Sequence, residues 1–86
     1  MEKSRIAVIG IIIENTDNVL KVNEILHEYS DFIIGRMGIP YREENINIIS
    51  IVLNAPNDKI NSLTGKLGML EGVSAKALYA NKKIIK

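Results

Sequence analysis

The sequence predicts an α+β fold with the element order β-α-β-β-α-β. Three observations carry this. Arg5 to Ile13 and Ile46 to Leu53 are apolar on both alternating sets of side chains, the signature of strands covered on both faces. Between the strand-like runs, the apolar period changes twice from two residues to the helical spacing. No linker, repeat or low-complexity tract interrupts the 86 residues, so a single domain over 1–86 is expected.

The first strand reads Ile6, Val8, Gly10 and Ile12 on one face and Ala7, Ile9, Ile11 and Ile13 on the other. Glu14 to Asn18 then supplies turn and helix-capping chemistry, with Asp17 as the expected cap. Val19, Val22, Ile25, Leu26 and Tyr29 form the apolar stripe of a helix from about Asp17 to Ser30, ended by Asp31. Phe32 to Met37 reads as a second strand. Gly35, Gly38 and Pro40 interrupt it, and proline cannot donate to a ladder, so this strand belongs at a sheet edge with a bend at Gly38–Pro40. Ile46 to Leu53 is the third strand, and Asn54 to Asp58 a loop. Ile60, Leu63, Leu67 and Leu70 mark a second helix. Gly68 or Gly72 supplies its left-handed exit, and Gly65 and Gly68 suit close packing. Val73 to Ala80 is the fourth strand, and residues 81–86 read as a frayed basic tail. Right-handed crossovers turn this order into a ferredoxin-like sandwich: a four-stranded antiparallel sheet with both helices on one face. The first and third strands, the two that are apolar on both faces, are then central.

Composition narrows function by exclusion. Without cysteine there is no disulfide, thiolate metal site or cysteine nucleophile. The single histidine, His27, cannot build the common zinc sets alone. The sequence shows no serine or threonine with an evident base, so no catalytic residue and no cofactor are expected. A net charge of +1 gives no electrostatic footprint for direct nucleic-acid binding. No apolar run approaches the roughly 20 residues of a membrane helix. No signal peptide is read at the start, and a cytoplasmic protein is expected. Thr64 to Gly68 only faintly resembles a phosphate loop, since it lacks the full spacing and falls late in a helix.

Ligand chemistry concentrates in two places. The turn holding Asn15, Asp17 and Asn18 joins a central strand to a helix start, where free backbone N–H groups favour anions; it is either a self-capped turn or a ligand loop. In the stretch GRMGIPYREE, Arg36 lies in line with Phe32 and Ile34, where a guanidinium needs solvent, a subunit contact or a carboxylate. Arg36 and Arg42 are six positions apart, roughly 20 Å in an extended strand, so one small anion does not bridge both within a chain. Tyr41 stands between them. His27, at the edge of the first helix, is either a half-exposed helix residue or an accessory contact. Glu43 and Glu44 read as a solvated turn.

The sandwich leaves one sheet face open. The two central strands place roughly seven aliphatic side chains there, more than a soluble monomer tolerates. A homodimer or homotetramer packed through the sheet is therefore expected.

The segments LHEYSDFIIGRMGIPYREENINIISIV and NAPNDKINSLTGKLGMLEGVSAK carry a resemblance from about Arg5 to Ala80. They are similar to the small iron-only hydrogenase system regulator family, which itself resembles ACT domains and the C-terminal effector domain of nickel-responsive repressors. The resemblance implies an ACT-like domain that assembles through its sheet and binds a small-molecule effector at a subunit interface. It implies a regulatory role linked to iron-only hydrogenase expression or maturation. Asn15, Asp17, Asn18, Arg36 and Tyr41 are the candidate ligand contacts, with His27 accessory. The repressors' several metal-binding histidines and their ribbon-helix DNA segment have no counterpart here, so metal and direct DNA contacts are not expected. A protein that docks on redox or maturation machinery without any ligand is the alternative.

Overall fold

A computed structural model describes residues 3–81, and the basic tail expected to fray, Lys82 to Lys86, lies outside them. The chain forms β1 (Ser4–Ile13), α1 (Val19–Glu28), β2 (Ile33–Tyr41), β3 (Ile46–Pro56), α2 (Asn57–Gly68) and β4 (Val73–Tyr79). The sheet order is β2-β3-β1-β4 with every pair antiparallel, the ferredoxin-like arrangement with β1 and β3 central.

The register fixes which side chains share a face. Ile9 lies opposite Ile51 and Ala77, and Ile11 opposite Ile49 and Ala75. Ala7, Ile9, Ile11 and Ile13 of β1 and Ile49, Ile51, Leu53 and Ala55 of β3 are buried. Helix α1 closes over this layer with Val22 and Leu26, and α2 with Ile60, Leu63 and Leu67, as their helical spacing requires. The helices are tied across their outer surfaces. The Tyr29 and Ser62 hydroxyls are 2.7 Å apart, and Lys66 Nζ lies 3.2 Å from Glu28 Oε1. Tyr29 first, and Glu28 with it, hold the Lys66 pKa above its ordinary value. The sign follows: this exposed contribution is present below the unfolded-state pKa and fades as pH rises through the folded one.

Several boundaries differ from the sequence reading. β3 continues through Asn54 to Pro56, because Ser4 to Ile6 of β1 pair with those residues. β2 runs without a break to Tyr41, so Gly38 and Pro40 are strand residues and not a bend. An edge strand tolerates proline because its outer N–H is not needed by a neighbour. The irregularity falls earlier, as a register shift between Ile33 and Gly35. That extra residue takes Arg36 out of phase with Ile34 and sets it opposite Ile51, on the helix side of the sheet.

The exit from α2 belongs to Gly72, whose φ is +73°. A Cβ there would stand 2.6 Å from Asn15 Cβ, so backbone conformation and close approach both require glycine. Gly65 and Gly68 have no neighbour within 4 Å of an added Cβ, so close packing within the chain does not account for them. Gly72→Ala is expected to cost about 1–3 kcal/mol in chemical denaturation. Gly65→Ala, inside a helix with free space, is expected to stabilise by about 0.5–1 kcal/mol.

Candidate functional site

The β1–α1 turn is built as a joint. Asn15, not Asp17, is the cap: its Oδ1 accepts the Asp17 N–H at 3.0 Å. Either side chain can make this bond, and the spacing that succeeds is the one reaching two residues forward. Asn18 is 9% exposed, and its Nδ2 donates to the Glu71 carbonyl at 2.6 Å. The Glu14 N–H donates to the Gly72 carbonyl at 2.7 Å. These bonds join the turn after β1 to the turn before β4. Asp17 is exposed beside them.

Arg36 occupies a different place. Its neighbours on the helix side of β2 are Gly38 and Pro40, opposite Ile49 and Asn47. Its guanidinium donates to Asn23 Oδ1 on α1, and so crosses from the edge strand to the helix. Two adjoining hollows meet at this Arg36–Asn23 link. One, of about 270 Å³, runs along the helix past His27 and Ser30 to Ile33. The other, of about 230 Å³, lies between Val19 and the sheet, with Gly38, Pro40, Asn47 and Ile49 in its lining. No carboxylate lines either hollow. The ion pair among the described residues is Lys66 with Glu28, so Arg36 has no acidic partner there.

The expected contacts therefore separate into three groups. Arg36 and His27 share a hollow. Tyr41, opposite Ile46 in β2, lines a cleft at the hairpin tip with Arg42 and Asn45. Asn15, Asp17 and Asn18 belong to the turn joint. Asn23 and Asn47 were not singled out from sequence, and Gly38 was read as a bend and not as part of a site. The signal for the first was available, since Val19, Asn23 and His27 recur at i,i+4 on one helix face. No metal-holding group of three or more His, Cys, Asp or Glu occurs among the described residues. No helix among them is long and apolar enough to cross a membrane.

The opposite face of the sheet is apolar and open. Ile6, Val8, Ile12, Ile46, Ile48 and Val52 come from the central strands, six against the roughly seven expected, and Gly10, Ser50 and Asn54 share that face. The flanking strands add Met37, Ile39 and Tyr41 on one side and Leu78 on the other. Ile12 is 44% exposed, Ile39 49% and Met37 59%.

Residues 5–77 match the TM1266-like family model, described as "Iron-only hydrogenase system regulator, putative". Among solved structures, the uncharacterized protein TM1266 from Thermotoga maritima is 40% identical, with a TM-score of 0.87 over 92% of this chain and 100% of that one. The C-terminal domain of the MgtC protein from Mycobacterium tuberculosis has a TM-score of 0.71 at 12% identity, over 100% of this chain and 98% of its own, a likeness of fold alone. No curated protein matches the chain.

Asn18→Ala is expected to cost about 1–2 kcal/mol by removing the bond to Glu71. Asp17→Ala is expected to stay within about 0.5 kcal/mol. Denaturant midpoints of the two variants check the assignment of this turn as a joint.

Proposed function

The chain belongs to the TM1266-like family of iron-only hydrogenase system regulators, and on that premise we propose that it is a non-catalytic, cytoplasmic regulatory module that senses a small effector. The effector site is the double hollow around Arg36. The observation that carries this reading is the Arg36 guanidinium, held at the junction of two hollows by a neutral amide and left without a carboxylate among the described residues. A structural arginine at this position gains most from an acid; a neutral tether leaves the charge for an anionic ligand. His27 borders the same hollow as an accessory contact. Tyr41 and the Asn15–Asn18 turn contribute across a subunit contact and not within one chain.

The module is proposed to work as a homodimer or homotetramer closed through the open sheet face. Burying an aliphatic side chain from full exposure is worth about 1.5–3 kcal/mol, and the exposed fractions of Ile12, Met37, Ile39, Ile48 and Leu78 supply the apolar surface that offsets association costs. The regulatory output then passes to another protein, since the charge balance does not favour direct DNA contact. The same apolar face supports a second reading, a docking protein for redox or maturation machinery that binds no ligand.

Two measurements separate the readings. At micromolar concentration, sedimentation should show a dimer or larger species, and Ile48→Glu should be monomeric, because it buries carboxylates at the contact. A monomeric native protein would sink the assembly. A thermal-shift panel of organic acids, nucleotides and inorganic anions should contain a stabilising compound whose effect is lost in Arg36→Ala. An empty panel favours the docking reading.

A further inference from the structure

We infer that the hollow beside Arg36 takes a small organic acid with a branched aliphatic body, its carboxylate on the guanidinium and its body over the strip of sheet that Gly38 leaves bare. This rests on the effector reading above and narrows it to a chemical class.

Gly38 is the observation that points to a body. Its φ is not left-handed, since Gly72 is the glycine with positive φ among the described residues. Its added Cβ would meet nothing within 4 Å. Neither backbone conformation nor packing therefore requires glycine, although glycine weakens a strand. What the missing side chain leaves is open floor on the helix side of β2, one pleat from Arg36 and opposite Ile49. Val19 of α1 overhangs this floor, Pro40 continues it, and Asn47 lies at its far end. The space of about 230 Å³ holds roughly seven or eight groups of water size, at about 30 Å³ each.

Arg36 points to the head. A guanidinium has five N–H donors, and one of its nitrogens is directed to Asn23. The remaining fork matches a carboxylate, which accepts two parallel hydrogen bonds. A bare inorganic anion satisfies the arginine but leaves Val19 and Pro40 wet. A neutral hydrophobe leaves the guanidinium unpaired. A zwitterionic amino acid brings an ammonium into hollows whose lining has no carboxylate to receive it. A simple branched acid satisfies both halves.

The test is a titration of the full chain followed by amide ¹H–¹⁵N NMR, with acetate, isovalerate, isovaleramide and inorganic phosphate as probes. Isovalerate should shift the amides of Val19, Asn23, Arg36, Gly38 and Ile49, and should bind more than tenfold tighter than acetate, at roughly fourfold per buried methylene. Isovaleramide and the Arg36→Gln variant should each lose at least tenfold. Gly38→Val should lose at least tenfold for isovalerate while unfolding at the same or a higher temperature. If that variant does not fold, Gly38→Ala, whose single methyl enters free space, makes the same comparison. Phosphate binding as tightly as isovalerate, with Gly38→Val without effect, overturns the assignment of class and leaves the effector reading standing. No shift at these amides with any probe also overturns the class. The effector reading itself falls only if the wider thermal-shift panel is empty as well.

Discussion

The pairing of β1 with β3 is the constraint on which the rest of this molecule depends. Ten residues of each strand lie in continuous register, from Ser4 opposite Pro56 to Ile13 opposite Asn47. A shift by one residue would exchange the two faces of the sheet. In the observed register, Ile9, Ile11, Ile51 and Leu53 enter the dry layer under the helices, while Val8, Ile12, Ile48 and Val52 face outward. Both sets are apolar, so the pair forms the inner core and the outer apolar face at once. A small domain buries a modest fraction of its surface, and here much of the remaining apolar surface is gathered on one side.

The edge strand β2 connects that architecture to the candidate site. Its register shift between Ile33 and Gly35 turns Arg36, Gly38 and Pro40 toward the helix layer and Met37, Ile39 and Tyr41 toward the open face. One strand therefore borders both the proposed ligand hollow and the proposed assembly surface. Closure of the sheet face against a second copy would hold β2 in place, and a ligand between β2 and α1 would do the same from the other side. A bound effector and subunit association then favour the same ordered strand, which is a physical route for coupling the two.

Much of the fold is legible in the residues. The doubly apolar runs of β1 and β3 place them centrally, and the helical stripes identify α1 and α2. The two-residue period also groups Arg36, Gly38 and Pro40 on one face. The differences arise where the deciding contact is remote in sequence. Nothing local marks the extra residue at Ile34 that separates Arg36 from the Phe32–Ile34 line. Asn54 to Pro56 has turn composition, yet pairing with Ser4 to Ile6 keeps it extended. Asn18 looks like one more turn residue until Glu71, 53 positions away, accepts its amide. The candidate hollow was legible in Arg36 and His27 and not in Asn23 or Asn47. Asn23 has the polarity of an ordinary exposed helix residue, and Gly38 reads as a strand breaker until the strand is seen to continue through it.

The apolar outer face made by the β1–β3 register is proposed to be covered in solution by a second copy of the chain. Met37 lies on that face, and Met69, 86% exposed, lies just beyond α2 and serves as an internal control. The direct measurement is the broadening of the two methionine methyl NMR signals by a soluble paramagnetic probe at micromolar protein concentration. Covering predicts that the Met69 methyl broadens strongly while the Met37 methyl is protected, and that protection falls on dilution. Equal broadening of both methyls at every concentration would contradict it.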